Sequence, residues 1–210
     1  MSSPTPHEIR TGRLCLRTWR AEDAPLVRAA LDASDAHLRP WVPFMKSEPQ
    51  DLAGTRKWVA WRIEQFAAGT NHCYAILPRD GTELLGEVML LGRAGPDALE
   101  IGYWIDVRQT GHGYATEAAA ALVCTGLALH HCKRLRMVCD PRNEASFRIP
   151  RKLGFRHVET RLGTYVDDAG DKRDSMIWEL EAADFPGTAA HGAALEAFDA
   201  TGQRISFTAS

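Results

Sequence analysis

Gly111 and Gly113 stand on either side of His112 in the segment Arg108-Gln-Thr-Gly-His-Gly-Tyr-Ala115. An apolar run, Ile101 to Val107, leads into it, and a stretch rich in Ala and Leu follows. Two glycines flanking one residue let the backbone bend sharply and approach a ligand with no Cβ in the way. A helix starting near Tyr114 aims its unpaired N–H groups back into the bend. Bend and helix N-terminus together form an anion site suited to phosphates. The segment has no Gly-Lys-Ser/Thr, which removes the P-loop reading. Several nucleotide folds share such a bend, and two glycines can also simply close a tight connection. Further on, Asn143-Glu-Ala-Ser146 precedes Lys152-Leu-Gly-Phe155. Asn143 suits a helix cap. Pro150 has no N–H, so the carbonyl of Ser146 loses its i+4 helical donor, which loosens or bends the helix at Ser146.

The elements that must position these residues follow from periodicity. Residues 1 to 10 read as a flexible lead, and Arg13 to Trp19 alternates as a half-buried strand with Leu14 and Leu16 inward. Asp23 is the expected N-cap of a short amphipathic helix with Pro25 just inside it and Leu26, Val27, Ala30 and Leu31 on one face. Pro40 and Pro43 exclude a regular helix over His37 to Phe44, whose Trp41 and Phe44 cap the core or line a pocket. Pro49 to Ala68, closed by Gly69, predicts a second helix with Leu52, Trp58, Val59, Trp61, Ile63 and Phe66 as its apolar stripe. Strands at Cys73 to Leu77, Leu84 to Leu91 and Leu99 to Val107 follow, joined by turns at Pro78 to Gly81 and Arg93 to Asp97.

The helix from Tyr114 to about His131 carries few charges and reads as buried. With the strand Arg134 to Cys139 after it, it completes a βαβ unit whose strands run parallel. A short helix capped by Asn143 runs to Leu153 and ends at Gly154. Strands at about Arg156 to Tyr165 and Asp174 to Glu181, with a turn at Asp167 to Gly170, complete the main fold. The tail carries Ala194 to Phe198 and Arg204 to Phe207 around Asp199-Ala-Thr-Gly202, a hairpin pattern. Its Leu195, Phe198, Ile205 and Phe207 must pack on this chain's own sheet or on a second copy's, as in a homodimer, since a lone hairpin is marginal in water.

The chain has 210 residues, 45% of them hydrophobic, enough for one mixed domain with a substantial core. With 25 Lys plus Arg against 27 Asp plus Glu, the net charge of -2 argues against a general electrostatic grip on nucleic acid. No apolar run is long enough to span a bilayer, and the N-terminus lacks the pattern of a signal peptide, so the expected location is the cytoplasm, with no membrane partner. Cys15, Cys73, Cys124, Cys132 and Cys139 are odd in number without close paired spacing. They read as small residues of a reduced core, with no disulfide framework and no metal site.

With the strand-turn-helix around Gly111 and Gly113, Asn143-x-x-Ser146 and Leu153-Gly-Phe155 in place, the chain resembles the GCN5-related N-acetyltransferases, the GNAT family. Thr11-Gly-Arg-Leu-Cys-Leu-Arg17, Leu38-Arg-Pro-Trp41, Ile101-Gly-Tyr-Trp104 and Gly113-Tyr-Ala-Thr-Glu-Ala118 resemble its RimJ/RimL-type ribosomal-protein branch. The resemblance covers about residues 8 to 182. It implies an α/β (α+β) fold with a mixed, mostly antiparallel central sheet, a parallel βαβ unit and flanking helices. An acetyltransferase domain over 1–185 would then precede a C-terminal hairpin extension, 186–210.

The resemblance also implies acetyl-CoA as co-substrate. Its pyrophosphate would lie on the backbone N–H groups of Gly111, His112, Gly113, Tyr114 and Ala115, with added charge from Arg108. Its pantetheine arm would pair with the strand backbone from Ile105 to Val107. Asn143 would touch CoA or the adjoining backbone, and Ser146 matches the serine near the thioester sulfur, a proton donor to the departing thiolate.

The resemblance further implies a primary-amine acceptor, either a protein N-terminus or a small molecule, which must be neutral to attack. Glu100 and Glu87 are the candidate general bases, acting through water, and either can instead be an ordinary strand residue. An α-amine titrates near ~8 and a lysine near ~10.4, so an N-terminal acceptor needs little help from a base. His112 faces the phosphates and is discounted as base. Other readings are self-protection by acetylating an antibiotic or metabolite amine, and a non-catalytic CoA- or partner-binding protein.

Overall fold

The computed structural model describes residues 5–167 and 170–206. Phe207, the start of the leader and the tip of the Asp167 to Gly170 turn therefore lie outside the described residues. Strands β1 (Glu8–Arg10), β2 (Leu14–Thr18), β3 (Asn71–Pro78), β4 (Gly86–Leu91), β5 (Ala98–Ile105), β6 (Arg134–Cys139), β7 (Arg156–Val166), β8 (Lys172–Glu181), β9 (Glu196–Phe198) and β10 (Arg204–Ile205) form one sheet. Its order is β10-β9-β1-β2-β3-β4-β5-β6-β8-β7. The pairs are antiparallel except β5 with β6, which are parallel and joined by helix α3 (Tyr114–Ala128). This is the mixed α/β sheet with a βαβ unit that the sequence implies.

Alternation along the strands gives the sheet two apolar faces. Leu14, Leu16, Tyr74, Ile76, Val88, Leu90, Ile101 and Ile105 point to the face covered by α3 and by α4 (Glu144–Lys152). Cys73, Ala75, Leu77, Met89 and Trp104 point to the other face. There α1 (Ala24–Leu38) and α2 (Leu52–Ala67) supply Val27, Leu31 and Val59. No helix of the described residues is long and apolar enough to cross a membrane.

Several expectations change. The lead is not all flexible: β1 pairs with β2 on one side and β9 on the other, and Ile9 is fully buried. A strand of three residues with one inward side chain offers no period to read. Asp23 occupies the cap position of α1 but its side chain caps nothing there. Its carboxylate instead takes two bonds from Arg17, at 2.7 Å each, and one from the Arg20 N–H. The last turn of α1 includes His37 and Leu38, ahead of the prolines. Trp61 and Ile63 are exposed at 45% and 36%, so the stripe of α2 is narrower than expected and rests on Val59 and Phe66. The returning hairpin strand starts at Gly86 rather than Leu84, and α3 ends at Ala128.

The strand before the glycine turn ends at Ile105. Val107, expected on that strand, lies in a 3-10 turn, Val107–Gln109, capped by the Asp106 carboxylate accepting from Arg108 N–H. Asp106 N–H bonds to the Leu85 carbonyl, which closes the sheet at this end. The tail packs on this chain's own sheet: β9 pairs with β1, and Ala197 and Ile205 bury against Leu129.

Candidate active site

The glycine turn adopts the geometry its sequence requires. Gly111 and Gly113 both have φ 81°, in the left-handed region, and Gly113 is the N-cap of α3. The first helical bond runs from Glu117 N–H to the Gly113 carbonyl, so the N–H groups of Tyr114, Ala115 and Thr116 precede the helical ladder and remain available to an anion. His112 is exposed and stacks on Tyr114 with ring centroids 5.5 Å apart.

A brace that sequence reasoning missed holds this turn to the connection between β1 and β2. The Glu117 carboxylate accepts from Thr11 Oγ1 at 2.6 Å, Arg13 N–H at 3.0 Å and Arg13 Nε at 2.6 Å. Arg13 in turn donates to the His112 carbonyl at 2.9 Å and lies 4.9 Å over the Tyr114 ring. Burial pushes the Glu117 carboxyl up, but the bonds from Thr11 and Arg13 outweigh it and leave it below the usual carboxylate range. The cations at this turn are not all free. Arg108, expected to add charge toward phosphates, is clasped by Asp106, with Nε 3.0 Å from Oδ1. Its guanidinium stays exposed, but its charge is balanced locally.

Beside the turn the sheet opens. β5 pairs with β4 from Glu100 to Ile105, yet with β6 only over Ala98–Glu100. Beyond Glu100, β6 keeps its pairing with β8 alone, so the backbone of Ile101 to Ile105 has a free side facing the gap. Ile105 lies at the end of that free side and Val107 beyond it, in the 3-10 turn.

Ser146 lies across this gap, in the first turn of α4. Asn143 is the N-cap, its Oδ1 accepting from Ser146 N–H at 3.1 Å. Pro150 sits inside α4 as the sequence shows, and the Ser146 carbonyl finds a different donor, the Tyr103 hydroxyl at 3.1 Å. The same hydroxyl lies 3.0 Å from Ser146 Oγ. Burial raises the Tyr103 phenol well above its ordinary range, against the opposing hydrogen bond from Ser146.

The two carboxylates are not gathered around Ser146. Tyr103 faces the α3/α4 side of β5, whereas Glu100 and Trp104 alternate to the α1/α2 side, and Glu87 sits opposite Trp104 on β4. Glu87 is fully buried and accepts from Trp19 Nε1 at 3.0 Å, Trp104 Nε1 at 3.1 Å and an Arg62 terminal nitrogen at 3.0 Å. Arg62 Nε is also 3.0 Å away but misaligned for a hydrogen bond. Burial pushes the Glu87 carboxyl up, and Arg62 with the two indoles opposes it without reversing it. Glu100 is clasped by Arg93, 3.0 Å from its Nε and 2.5 Å from a terminal nitrogen.

Residues 13–156 match the family described as Acetyltransferase (GNAT) domain. The chain belongs to the GNAT acetyltransferase family. It is therefore an acyltransferase whose acyl donor is acetyl-CoA. It is 30% identical over 149 residues to the uncharacterized N-acetyltransferase YnaD of Bacillus subtilis strain 168, a match covering 70% of this chain and 82% of YnaD. Among solved structures, Mycobacterium smegmatis RimJ in complex with CoA-disulfide has a TM-score of 0.77 at 25% identity, covering 91% of this chain and 95% of RimJ. RimL, a ribosomal-protein α-N-acetyltransferase in complex with coenzyme A, shares the fold with a TM-score of 0.75 at 21% identity, covering 85% and 97%.

Proposed function

We propose that the protein transfers an acetyl group from acetyl-CoA to the α-amino group of a polypeptide N-terminus. The observation that carries this reading is the state of its carboxylates: Glu87 is sealed and Glu100 is held by Arg93. Neither presents an open, water-linked base. An acceptor whose nitrogen is already partly neutral suits such a site. At pH 7 roughly a tenth of an α-amine is unprotonated, against far less than a hundredth of a lysine. RimL, which shares the fold, is an α-N-protein acetyltransferase of ribosomal L7/L12, an acceptor of the same class.

Acetyl-CoA supplies the acetyl group on a thioester, with a thiolate as leaving group. Its pyrophosphate suits the N–H groups of Gly111, His112, Gly113, Tyr114 and Ala115, and the free side of β5 up to Ile105 can take the amide-bearing arm as an added strand. Val107 borders this path from the 3-10 turn, and Arg108 offers an exposed guanidinium whose charge Asp106 balances. Asn143 fixes the start of α4 and so the place of Ser146. Ser146 Oγ–H serves the sulfur as it acquires negative charge, and the net reaction moves one proton from the amine nitrogen to the thiol. Glu87 acts by holding Trp19, Trp104 and Arg62 as a rigid wall on the acceptor side, and Glu100 borders the point where the gap opens.

The test is thiol release from acetyl-CoA with peptides bearing free N-terminal Ser, Ala, Thr or Met. The same peptides with a blocked N-terminus and an internal lysine, and a panel of small amines, complete the set. Turnover confined to free N-termini is expected. Preferred turnover of lysine or of a small amine would overturn the acceptor assignment.

A further inference from the structure

We propose that Tyr103 is a positioning residue for Ser146, anchoring it through a backbone carbonyl that Pro150 deprives of its i+4 helical donor. The inference rests on the reading of Ser146 as the donor to the departing sulfur. In a regular helix the carbonyl of residue 146 accepts from the N–H of residue 150. Pro150 has none, and its ring disfavours close approach to that carbonyl. A half-buried carbonyl without a donor is costly, and here the donor is the Tyr103 hydroxyl from β5, 43 residues away in sequence.

The proton count sets the direction of both bonds. The Tyr103 hydroxyl has one hydrogen, and a carbonyl can only accept. With that hydrogen given to the Ser146 carbonyl at 3.1 Å, the contact at 3.0 Å runs from Ser146 Oγ–H to the phenol oxygen before the reaction, and the serine hydrogen turns from the phenol to the sulfur as the thiolate forms, the bond to the carbonyl staying in place. Burial keeps Tyr103 neutral and thus able to donate throughout the neutral range. Ser146 is held at three points: its N–H by Asn143 Oδ1, its carbonyl by Tyr103 and its hydroxyl by Tyr103. The anchor lies on β5 beyond Glu100, the stretch whose other edge is free of β6. A single tyrosine therefore ties the serine to the strand that borders the donor site.

Tyr103→Phe, Ser146→Ala, their double variant, Pro150→Ala and Pro150→Ala with Tyr103→Phe test this. The measurements are kcat and KM for acetyl-CoA by thiol release with the best free-N-terminus peptide, together with amide exchange across α4. Tyr103→Phe keeps the ring and should lower kcat roughly tenfold with KM unchanged, as expected for one lost positioning bond. In the Ser146→Ala background the same change should have almost no effect on kcat. In the Pro150→Ala background, where an N–H at 150 again serves the carbonyl, its effect should shrink. Exchange at the amides of residues 146–149 should rise in Tyr103→Phe. Unchanged kcat and exchange in Tyr103→Phe, while Ser146→Ala is slow, would overturn the positioning role alone. A loss that persists undiminished in the Ser146→Ala background would show that Tyr103 acts apart from Ser146. Full activity in Ser146→Ala would instead overturn the donor role.

Discussion

Replacing Glu117 by Ala should weaken acetyl-CoA binding without slowing the chemical step. The carboxylate accepts three hydrogen bonds, from Thr11 Oγ1, Arg13 N–H and Arg13 Nε, and it lies in the first turn of α3, where a negative charge is favoured. Bonds to a charged group contribute about 1.5 to 3 kcal/mol when shielded, but the Arg13 side chain is 53% exposed and its pair is discounted for solvent screening. The buried Thr11 hydroxyl loses its acceptor, and the estimate for the whole change is about 2 kcal/mol of stability.

The effect on binding follows from Arg13, which also donates to the His112 carbonyl in the middle of the turn. Freed from Glu117, Arg13 no longer holds that backbone, and the Kd for acetyl-CoA should rise roughly tenfold, or about 1.4 kcal/mol. Urea unfolding gives the first number and isothermal titration the second, while kcat at saturating acetyl-CoA should stay within about twofold. The stability term also has a pH signature. The Glu117 carboxyl is lowered in the folded chain, so its contribution is complete above the unfolded value of 4.5 and is lost as pH falls through the folded one. Lost stability with unchanged Kd would refute the claim that the brace shapes the turn.

Glu87→Ala should destabilise the chain by about 3 to 5 kcal/mol in chemical denaturation, because it strands the buried Arg62 guanidinium and two indole N–H groups; a change below about 1 kcal/mol would show that the pair is dispensable. His72 lies beside His130 with tilted rings whose centroids are 4.4 Å apart, and burial, aided by the neighbouring His130, lowers its pKa to about 4. The unfolded chain then binds the extra proton, so stability should fall as pH drops from about 6.5 toward 4, by at most about 3 kcal/mol, and His72→Phe should flatten that slope in thermal melts. Truncation after Gly187 removes Ala197 and Ile205 from their contact with Leu129 and uncovers β1. Calorimetry should show a melting temperature lower by roughly 5 to 10 °C, as expected for about 2 to 3 kcal/mol of lost burial in a chain of this size.

The sequence exposes features that depend on local backbone chemistry. Gly111 and Gly113 had to be glycines at φ 81°, Asn143 had to cap, and Pro150 had to free a carbonyl. All are visible within a few residues. What stayed hidden depends on distant partners. Tyr103 reads as one more strand residue until α4 docks above it, and the Thr11 to Glu117 bond joins residues 106 apart. Glu87 and Glu100 look alike in sequence, each a lone acid in an apolar strand. Only tertiary packing gives the first two indoles and Arg62, and the second Arg93. Val107 reads as part of the strand because its apolar side chain continues the run, yet the Asp106 carboxylate starts a tight turn one residue earlier.

The turn at Gly111 to Ala115, braced by Arg13 and Glu117, is the proposed seat of acetyl-CoA. Isothermal titration of acetyl-CoA into the full chain, beside a variant with Gly113→Val, tests it most directly. Valine is strongly strained at φ 81° and cannot keep the turn. Saturable one-to-one binding to the full chain and its loss in the variant are expected. Absence of binding to the unaltered chain, or equal binding to both, would contradict it.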